Sequence, residues 1–399
     1  MNASLNGEQR HSWGNGMMTC DELRTDGTIA IIGAGPGGAT LARLLDRNGF
    51  RVRMFERDAS LDARSQGGSL DLRPDSGQRA IAAAALDHAF AARSRDDAKA
   101  FQMIDSTGRA MPGAGQETHE DAGPEIDRAD LRAMLVGALP ANMIAWDHRI
   151  DRVSPRADGR WQIDIADRAP VVADLVIGAD GIGSRVRAAL TDVQPIYTGI
   201  TMVAAYVRPD LWRGSALSDI LGEGSVMFAG GNKTIFVQRC ARDVILLYYS
   251  MAVPQGWPHD AGFGLDDHAA VMAAVRTAYR DWSPALLDML TQVQDSFHLW
   301  PTSVMPPDYR WASQPGLTML GDASHAMPSF TGKGVNLALL DALELAEGLA
   351  ADPGQPVQQV FTGFERAMQA RTAIEIRACL QVGRYAYGID LGFDLGEAA

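Results

Sequence analysis

Cysteine is scarce in this chain: 399 residues contain three, Cys20, Cys240 and Cys379, far apart and odd in number. That pattern supports neither a disulfide framework nor a metal knuckle, and it points to a reducing, cytoplasmic setting. Long apolar runs are missing as well. No stretch reaches the roughly 18 residues needed to span a bilayer, so no membrane role is expected. Positive charge is in deficit, with 36 basic against 49 acidic residues and a formal charge of -13. Without a Lys/Arg block, such a surface repels nucleic acid and anionic lipid. The first residues are polar and lack the apolar centre of a signal peptide. A loose tail is expected to about Arg24, with His11 and Cys20 solvated. Neither H-E-x-x-H nor paired Cys/His spacing occurs, so no metal site is expected.

What remains is an ordinary globular composition, 46% hydrophobic and 21% charged, long enough for two domains. Its clearest motif follows a short buried strand, "TIAII" (residues 28–32). Gly33, Gly35 and Gly38 come next in G-x-G-x-x-G spacing, then a helical pattern through Leu41, Leu44 and Leu45. A second strand, "RVRMFER", closes on Glu56 and Arg57. Strand, loop, helix, strand and terminal acid in this order form a dinucleotide fingerprint. Gly33 allows the tight turn, Gly35 lets the backbone approach a pyrophosphate, and Gly38 brings helix and strand together. The helix N-terminus offers N–H groups and partial positive charge. Glu56 accepts from a ribose diol and repels the 2′-phosphate of NADP, so a tightly held adenosine diphosphate belongs to FAD or NAD.

Further along, Arg64 lies in a glycine-rich loop, and "PEIDRADLRAML" opens a helix with Asp127 as its N-cap. Arg128 and Arg132 fall on one face of that helix, where Arg128 is the stronger candidate for gripping a phosphate or ribityl chain. "RWQIDIAD" alternates as a half-buried strand, and "ADLVIGADG" is a buried strand with Asp180 at its tip. Asp180 either points into a ligand crevice or caps the turn near Ser184. From about Thr198 to Val253, short strand-like runs separated by Gly/Asn/Asp turns predict an antiparallel sheet. Near the C-terminus, "GDASHAMPSFTGKGVNLALLDALELA" presents a second glycine-rich loop running into a helix. In it, His325 reads as a turn-stiffening histidine bonded to backbone, and no catalytic side chain is named.

In order, "GAGPGGATLARLL…FER", "GADGIGSRVR" and "GDASHAMPSFTGKGVN" resemble the three motifs of the single-component FAD-dependent aromatic hydroxylases, the p-hydroxybenzoate hydroxylase type. "GGSLDLRPDSGQ" and "PEIDRADLRAML" are most similar to the tetracycline-inactivating flavin monooxygenases. The resemblance implies an α/β fold: a Rossmann-like FAD-binding domain, an inserted antiparallel-sheet substrate domain and a C-terminal bridging helix. The expected division is a disordered tail at 1–26, an FAD domain from 27–85, 114–192 and 308–362, a substrate domain from 86–113 and 193–307, and a C-terminal helix and tail at 363–399.

It implies that Gly33, Gly35, Gly38, Glu56 and Arg57 hold the adenosine half of FAD. Arg64 would lie beside the flavin or its nicotinamide donor, Arg128 beside the ribityl–phosphate region, and Asp180 near the cofactor and the nicotinamide cleft. Asp322 would meet ribityl or pyrophosphate oxygens. The loop of residues 328–336, with Pro328, Gly332, Gly334, Val335 and Asn336, would lie against the flavin ring. The implied reaction is hydroxylation of an aromatic or polyketide-like molecule through a flavin C4a-hydroperoxide, with NADPH or NADH as a visiting co-substrate, O2 as oxidant and a monomer as sufficient unit. A reductase on the same scaffold, or a non-catalytic flavin-binding protein, is the alternative. Two features depart from the family. Gly332-Lys333-Gly334 replaces the usual Gly-Gln-Gly, and the sheet expected to face the substrate reads as apolar through Met202, Val203, Ala204, Ala205, Met227, Phe228, Leu246 and Leu247.

Overall fold

The computed structural model describes residues 18–64, 67–96, 100–111, 123–291 and 296–396. Its centre is a parallel five-stranded sheet in the spatial order Leu317–Met319, Leu175–Gly178, Ile29–Ile32, Val52–Phe55 and Ile144–Ala145. Both faces of this sheet are covered, which is why its strands read as unbroken apolar runs. Along the first strand, Ile29 and Ile31 enter one core, built with the helices Pro36–Arg47, Arg128–Gly137 and Gly334–Ala351. The alternate residues Ala30 and Ile32 enter another, against the antiparallel strands Ile150–Pro155, Trp161–Ile165 and Val171–Ala173.

The second sheet has six strands in the order Ser296–Val304, Ile196–Val207, Ile245–Ala252, Lys233–Arg239, Ser225–Gly230 and Phe101–Asp105. All its pairings are antiparallel except the last. A two-stranded ribbon, Ser69–Asp71 with Glu125–Asp127, joins the two bodies. Ser69 N–H donates to Gln238 Oε1 at 2.9 Å, and Gly68 N–H to Tyr248 Oη at 3.1 Å. Asp127 does sit at the N-cap of its helix, but its carboxylate accepts from Ala241 N–H, in the turn that follows strand Lys233–Arg239, instead of capping.

The helix Val357–Tyr387, 31 residues long, spans both bodies. Glu365 near its start accepts from Thr318 Oγ1 at the end of the parallel sheet. Tyr387 at its end accepts from Thr234 Oγ1 of the six-stranded sheet. Among the described residues, no helix is long and apolar enough to cross a membrane.

Three expected boundaries need correction. The tail assigned to residues 1–26 contains the helix Cys20–Thr25, closed by a capping box between Thr19 and Glu22. Cys20 and Leu23 are fully buried there, so Cys20 is a core residue and not a solvated one. Residues 1–17, His11 included, lie outside the described residues. Among the described residues of 86–113, Leu86 and Phe90 pack into the main core, and the strand Phe101–Asp105 joins the six-stranded sheet. The C-terminal helix begins at Val357, ahead of the expected 363, because Pro356 supplies the turn before it.

Candidate active site

The three loop glycines are not equivalent. Gly33 has φ +103°, and a Cβ there would meet the Ala179 carbonyl oxygen at 2.3 Å. A Cβ on Gly38 would meet the Gly33 oxygen at 2.2 Å. Packing therefore explains the first and third glycines. Gly35 has no protein atom within 4 Å of where its Cβ would stand, so open space lies over it. The helix it precedes has no side-chain cap and no acid in its first turn. Its N-terminal N–H groups and dipole are left for an anion.

Glu56 closes this loop from below. Its carboxylate accepts from Ala34 N–H at 2.7 Å and from Asp58 N–H at 2.9 Å. Arg132, only 1% exposed, lies beneath, donating to the Ala34 carbonyl at 3.0 Å and pairing with Asp58 at 3.1 Å and Glu56 at 3.5 Å. One guanidinium nitrogen, Nη2, is buried without a hydrogen bond. The sequence favoured Arg128, which is exposed beside Gly67, over Arg132, which the fold carries to the loop. The signal was available: at i+4 from Arg128, Arg132 lies among Leu131, Met134 and Leu135, all buried. Arg64 pairs with Asp58 at 3.0 Å, and Arg57 is exposed.

The second loop is built on a buried charge cluster. His325 Nε2 lies 2.6 Å from Asp341 Oδ2, an oxygen that also accepts from Gly321 N–H at 3.1 Å. Arg371 of the C-terminal helix donates to the other oxygen at 2.8 Å. His325 thus stiffens the turn through a carboxylate, not through backbone as its sequence position suggested. Burial is the largest single influence and pulls the imidazole down, but the charge and hydrogen bond of Asp341, with the charge of Asp322, together outweigh it and hold His325 above its ordinary pKa. Burial raises Asp341 in turn, yet His325 and Arg371 hold it below the usual carboxylate range.

Asp322, one residue beyond Gly321, is exposed and makes no hydrogen bond or ion pair among the described residues. Pro328 is buried, its carbonyl accepting from the Cys379 thiol at 3.2 Å, and Gly332 turns the chain with φ +67°. Lys333 is tied to Glu375 of the C-terminal helix at 2.7 Å. Gly334 then opens an 18-residue helix with no cap, no acid in its first turn, and nothing within 4 Å of its would-be Cβ. The first helical bond comes from Leu337 N–H, so those of Gly334, Val335 and Asn336 lack an intrahelical acceptor. The Asn336 side chain is committed elsewhere, to Asp71 O and Arg73 N–H. Asp180 is the capping residue of the two readings, accepting from Ser184 Oγ at 2.6 Å and Arg185 N–H at 2.7 Å. Burial raises its pKa against those bonds.

The two uncapped helix ends are neighbours. A Cβ on Gly37 would meet Leu320 at 2.8 Å and Ala338 at 3.2 Å, so the two helices touch within a turn of their N-termini. The six-stranded sheet lies against the same loop: Met202, Tyr248 and Trp300 pack with Phe330 and Tyr387.

That contact corrects the expected apolar floor. Val203, Ala205, Phe228 and Leu247 point away, into a core shared with the helices His268–Ala278 and Pro284–Thr291. On the loop side, Met227, Phe236, Tyr248, Ala204 and His298 stand in register across the strands. Ser250, Met202 and Trp300 form the adjacent row. A one-residue alternation separates these populations, and the linear sequence shows both as one apolar run. Among the described residues, no group of three or more His, Cys, Asp or Glu side chains is placed to hold a metal ion.

Residues 31–101 match a family model described as an NAD(P)-binding Rossmann-like domain, and residues 309–356 match one described as an FAD binding domain. Monooxygenase penA of Penicillium thymicola is 29% identical over 372 residues, covering 80% of this chain and 84% of that one. The 3-amino-4-hydroxybenzoate 2-monooxygenase of Streptomyces cremeus is 29% identical over 357 residues, covering 86% and 84%. Among solved structures, Klebsiella pneumoniae HpxO complexed with FAD and uric acid matches with a TM-score of 0.76 at 17% identity, covering 92% of this chain and 90% of that one. Tetracycline destructase Tet(51) matches with a TM-score of 0.67 at 20% identity, covering 91% of each chain. At these identities the structural likenesses speak for the fold.

Proposed function

We propose that this chain, which belongs to the FAD-binding aromatic-type monooxygenases, oxygenates a small aromatic or polyketide-like molecule using NADPH or NADH and dioxygen. The observation that carries the reading is the meeting of two uncapped, acid-free helix ends beside the aromatic side of an antiparallel sheet.

The residues present fit FAD. Open space over Gly35 and Gly334 and the free carboxylate of Asp322 are features that protein packing leaves unexplained. In this reading the loop of Gly33, Gly35 and Gly38 receives the pyrophosphate, and Glu56 the adenosine ribose. Arg132 fixes Glu56 in place, Asp322 accepts from the ribityl hydroxyls, and residues 328–336 form the wall beside the flavin ring. Asp180 and Asn336 act by shaping their turns, since their side-chain bonds are already made. Arg57, Arg64 and Arg128 are exposed at the rim, where they would meet phosphate or a visiting nicotinamide nucleotide.

Bound FAD supplies the hydride acceptor and the centre that activates oxygen; the chain supplies position, dryness and electrostatics. The N-terminus of Gly334–Ala351 stabilises negative charge developing on the reduced ring. The enzyme is proposed to work as a cytoplasmic monomer. Purified protein should bind FAD, be bleached by NADPH without oxygen, and with oxygen convert an aromatic substrate to a product one oxygen atom heavier. NADPH oxidation that yields only peroxide with every substrate would favour a reductase, and failure to bleach a non-catalytic flavin protein.

A further inference from the structure

The site-facing side of the six-stranded sheet contains polar atoms of two kinds. Gln238 and Tyr248 are already engaged, accepting from Ser69 N–H and Gly68 N–H of the ribbon. Gln238 also donates to Glu125 at 3.3 Å. Trp300 Nε1 and His298 Nδ1 have no hydrogen-bond partner and are shielded from water. They stand two residues apart on the same face of one strand, in the two rows that look toward the loop at Phe330. An indole N–H can only donate, whereas an imidazole Nδ1 donates or accepts according to tautomer. A buried donor left unmatched is unfavourable, so a ligand that brings an acceptor is selected over one that does not.

The same rows define the shape of such a ligand. Phe236 and Tyr248 are stacked, ring centres 6.2 Å apart and planes at 21°. Phe330 and Tyr387 face them from the cofactor loop and the C-terminal helix, with ring centres 4.5 Å apart. From Phe236 to His298 the row crosses three interstrand spacings, about 14 Å. A single ring covers roughly one such spacing, and a linear fused system two or three. None of the residues in these two rows is Asp, Glu, Lys or Arg, and the nearest guanidinium, that of Arg128, stands at the edge beside Gly67 and Trp300.

Resting on the monooxygenase reading, we infer that Trp300 and His298 are specificity-determining residues that select a flat, polycyclic substrate carrying a carbonyl or phenolic oxygen. Trp300 Nε1–H donates to that oxygen, and His298 orients it.

The test uses FAD-loaded enzyme titrated with chrysazin, a dihydroxyanthraquinone, with anthracene as the same ring frame lacking oxygen. Single-ring 3-amino-4-hydroxybenzoate is the third compound. Trp300→Phe keeps an aromatic ring and removes the donor. It should weaken chrysazin binding about tenfold while leaving anthracene binding unchanged. His298→Phe should weaken chrysazin in the same sense. Each variant is scored with its FAD absorbance spectrum retained, which separates a binding defect from a folding one. Equal chrysazin affinity in wild type and Trp300→Phe overturns the inference. So does no chrysazin binding to wild type, or tighter binding of 3-amino-4-hydroxybenzoate. The monooxygenase reading is judged apart from this, by whether FAD binds and NADPH reduces it.

Discussion

Two glycines two residues apart in a motif can be required for unrelated reasons, and Gly33 and Gly35 are such a pair by their surroundings. Alanine at position 33 would hold a β-carbon against the Ala179 carbonyl in a left-handed backbone conformation. Gly33→Ala is expected to lose several kcal/mol, about 2–4, in stability and to melt early with or without FAD. Alanine at position 35 meets no protein atom and sits in extended backbone that any residue adopts. Gly35→Ala should therefore melt like wild type without FAD, yet bind FAD at least tenfold more weakly, because its methyl occupies the approach to the helix end. Paired melting curves and FAD titrations check both; a Gly35→Ala protein with normal FAD affinity would remove the phosphate role from that loop. The motif was legible in sequence, but this division of labour was not, since it depends on Ala179, which packs from another strand.

Secondary elements with strict periodicity were readable from the chain. "TIAII" and "RWQIDIAD" became the strands Ile29–Ile32 and Trp161–Ile165 because apolar runs and period-two alternation correspond directly to sheets buried on both faces or on one. What stayed hidden was which face of the six-stranded sheet looks where. Lys333 shows a similar limit: its partner Glu375 is brought near only by the folding of the C-terminal helix.

The ribbon between the two bodies carries a consequence of its own. Burial pushes the Glu125 carboxyl up to about 7, opposed by hydrogen bonding from Ser69 and the charge of Arg95. A folded-state pKa above the unfolded one means the native protein binds more protons between about pH 4.5 and 7. The contribution of Glu125 is fully favourable below its unfolded pKa and is lost as pH rises through about 7. Glu125→Gln keeps an acceptor for Gln238 and removes the titration. Its melting temperature should vary less than that of wild type between pH 5 and 8, with the gap closing toward low pH. Parallel slopes would place the ionisation elsewhere.

At the scale of the whole molecule, the C-terminal helix makes the active site a shared property of two bodies. It is bonded to the parallel sheet through Glu365, to the buried charge cluster through Arg371, to the loop at Lys333 through Glu375, and to the six-stranded sheet through Tyr387. The sequence showed one long helix there, but its 31 uninterrupted residues alone do not reveal that the last two turns seat a ring on Phe330. Val382 lies on the exposed side between the Arg371 and Tyr387 anchors. Proline there removes one helical hydrogen bond and clashes with the preceding turn, at about 3 kcal/mol or more, so the end of the helix should fray from that point. Glu365 and Arg371 lie upstream and keep their partners, so Val382→Pro should still bind FAD. Tyr387 loses both Phe330 and Thr234, and the helix loses its tie to the six-stranded sheet, leaving the ribbon as the other link. The expected result is a melting curve split into two transitions and weaker substrate-dependent stimulation of NADPH oxidation, with Val382→Ala behaving as wild type. If Val382→Pro melts in one transition and responds to substrate normally, the helix end is a passive cover and the coupling between flavin loop and substrate sheet runs through the Ser69–Asp71 ribbon alone.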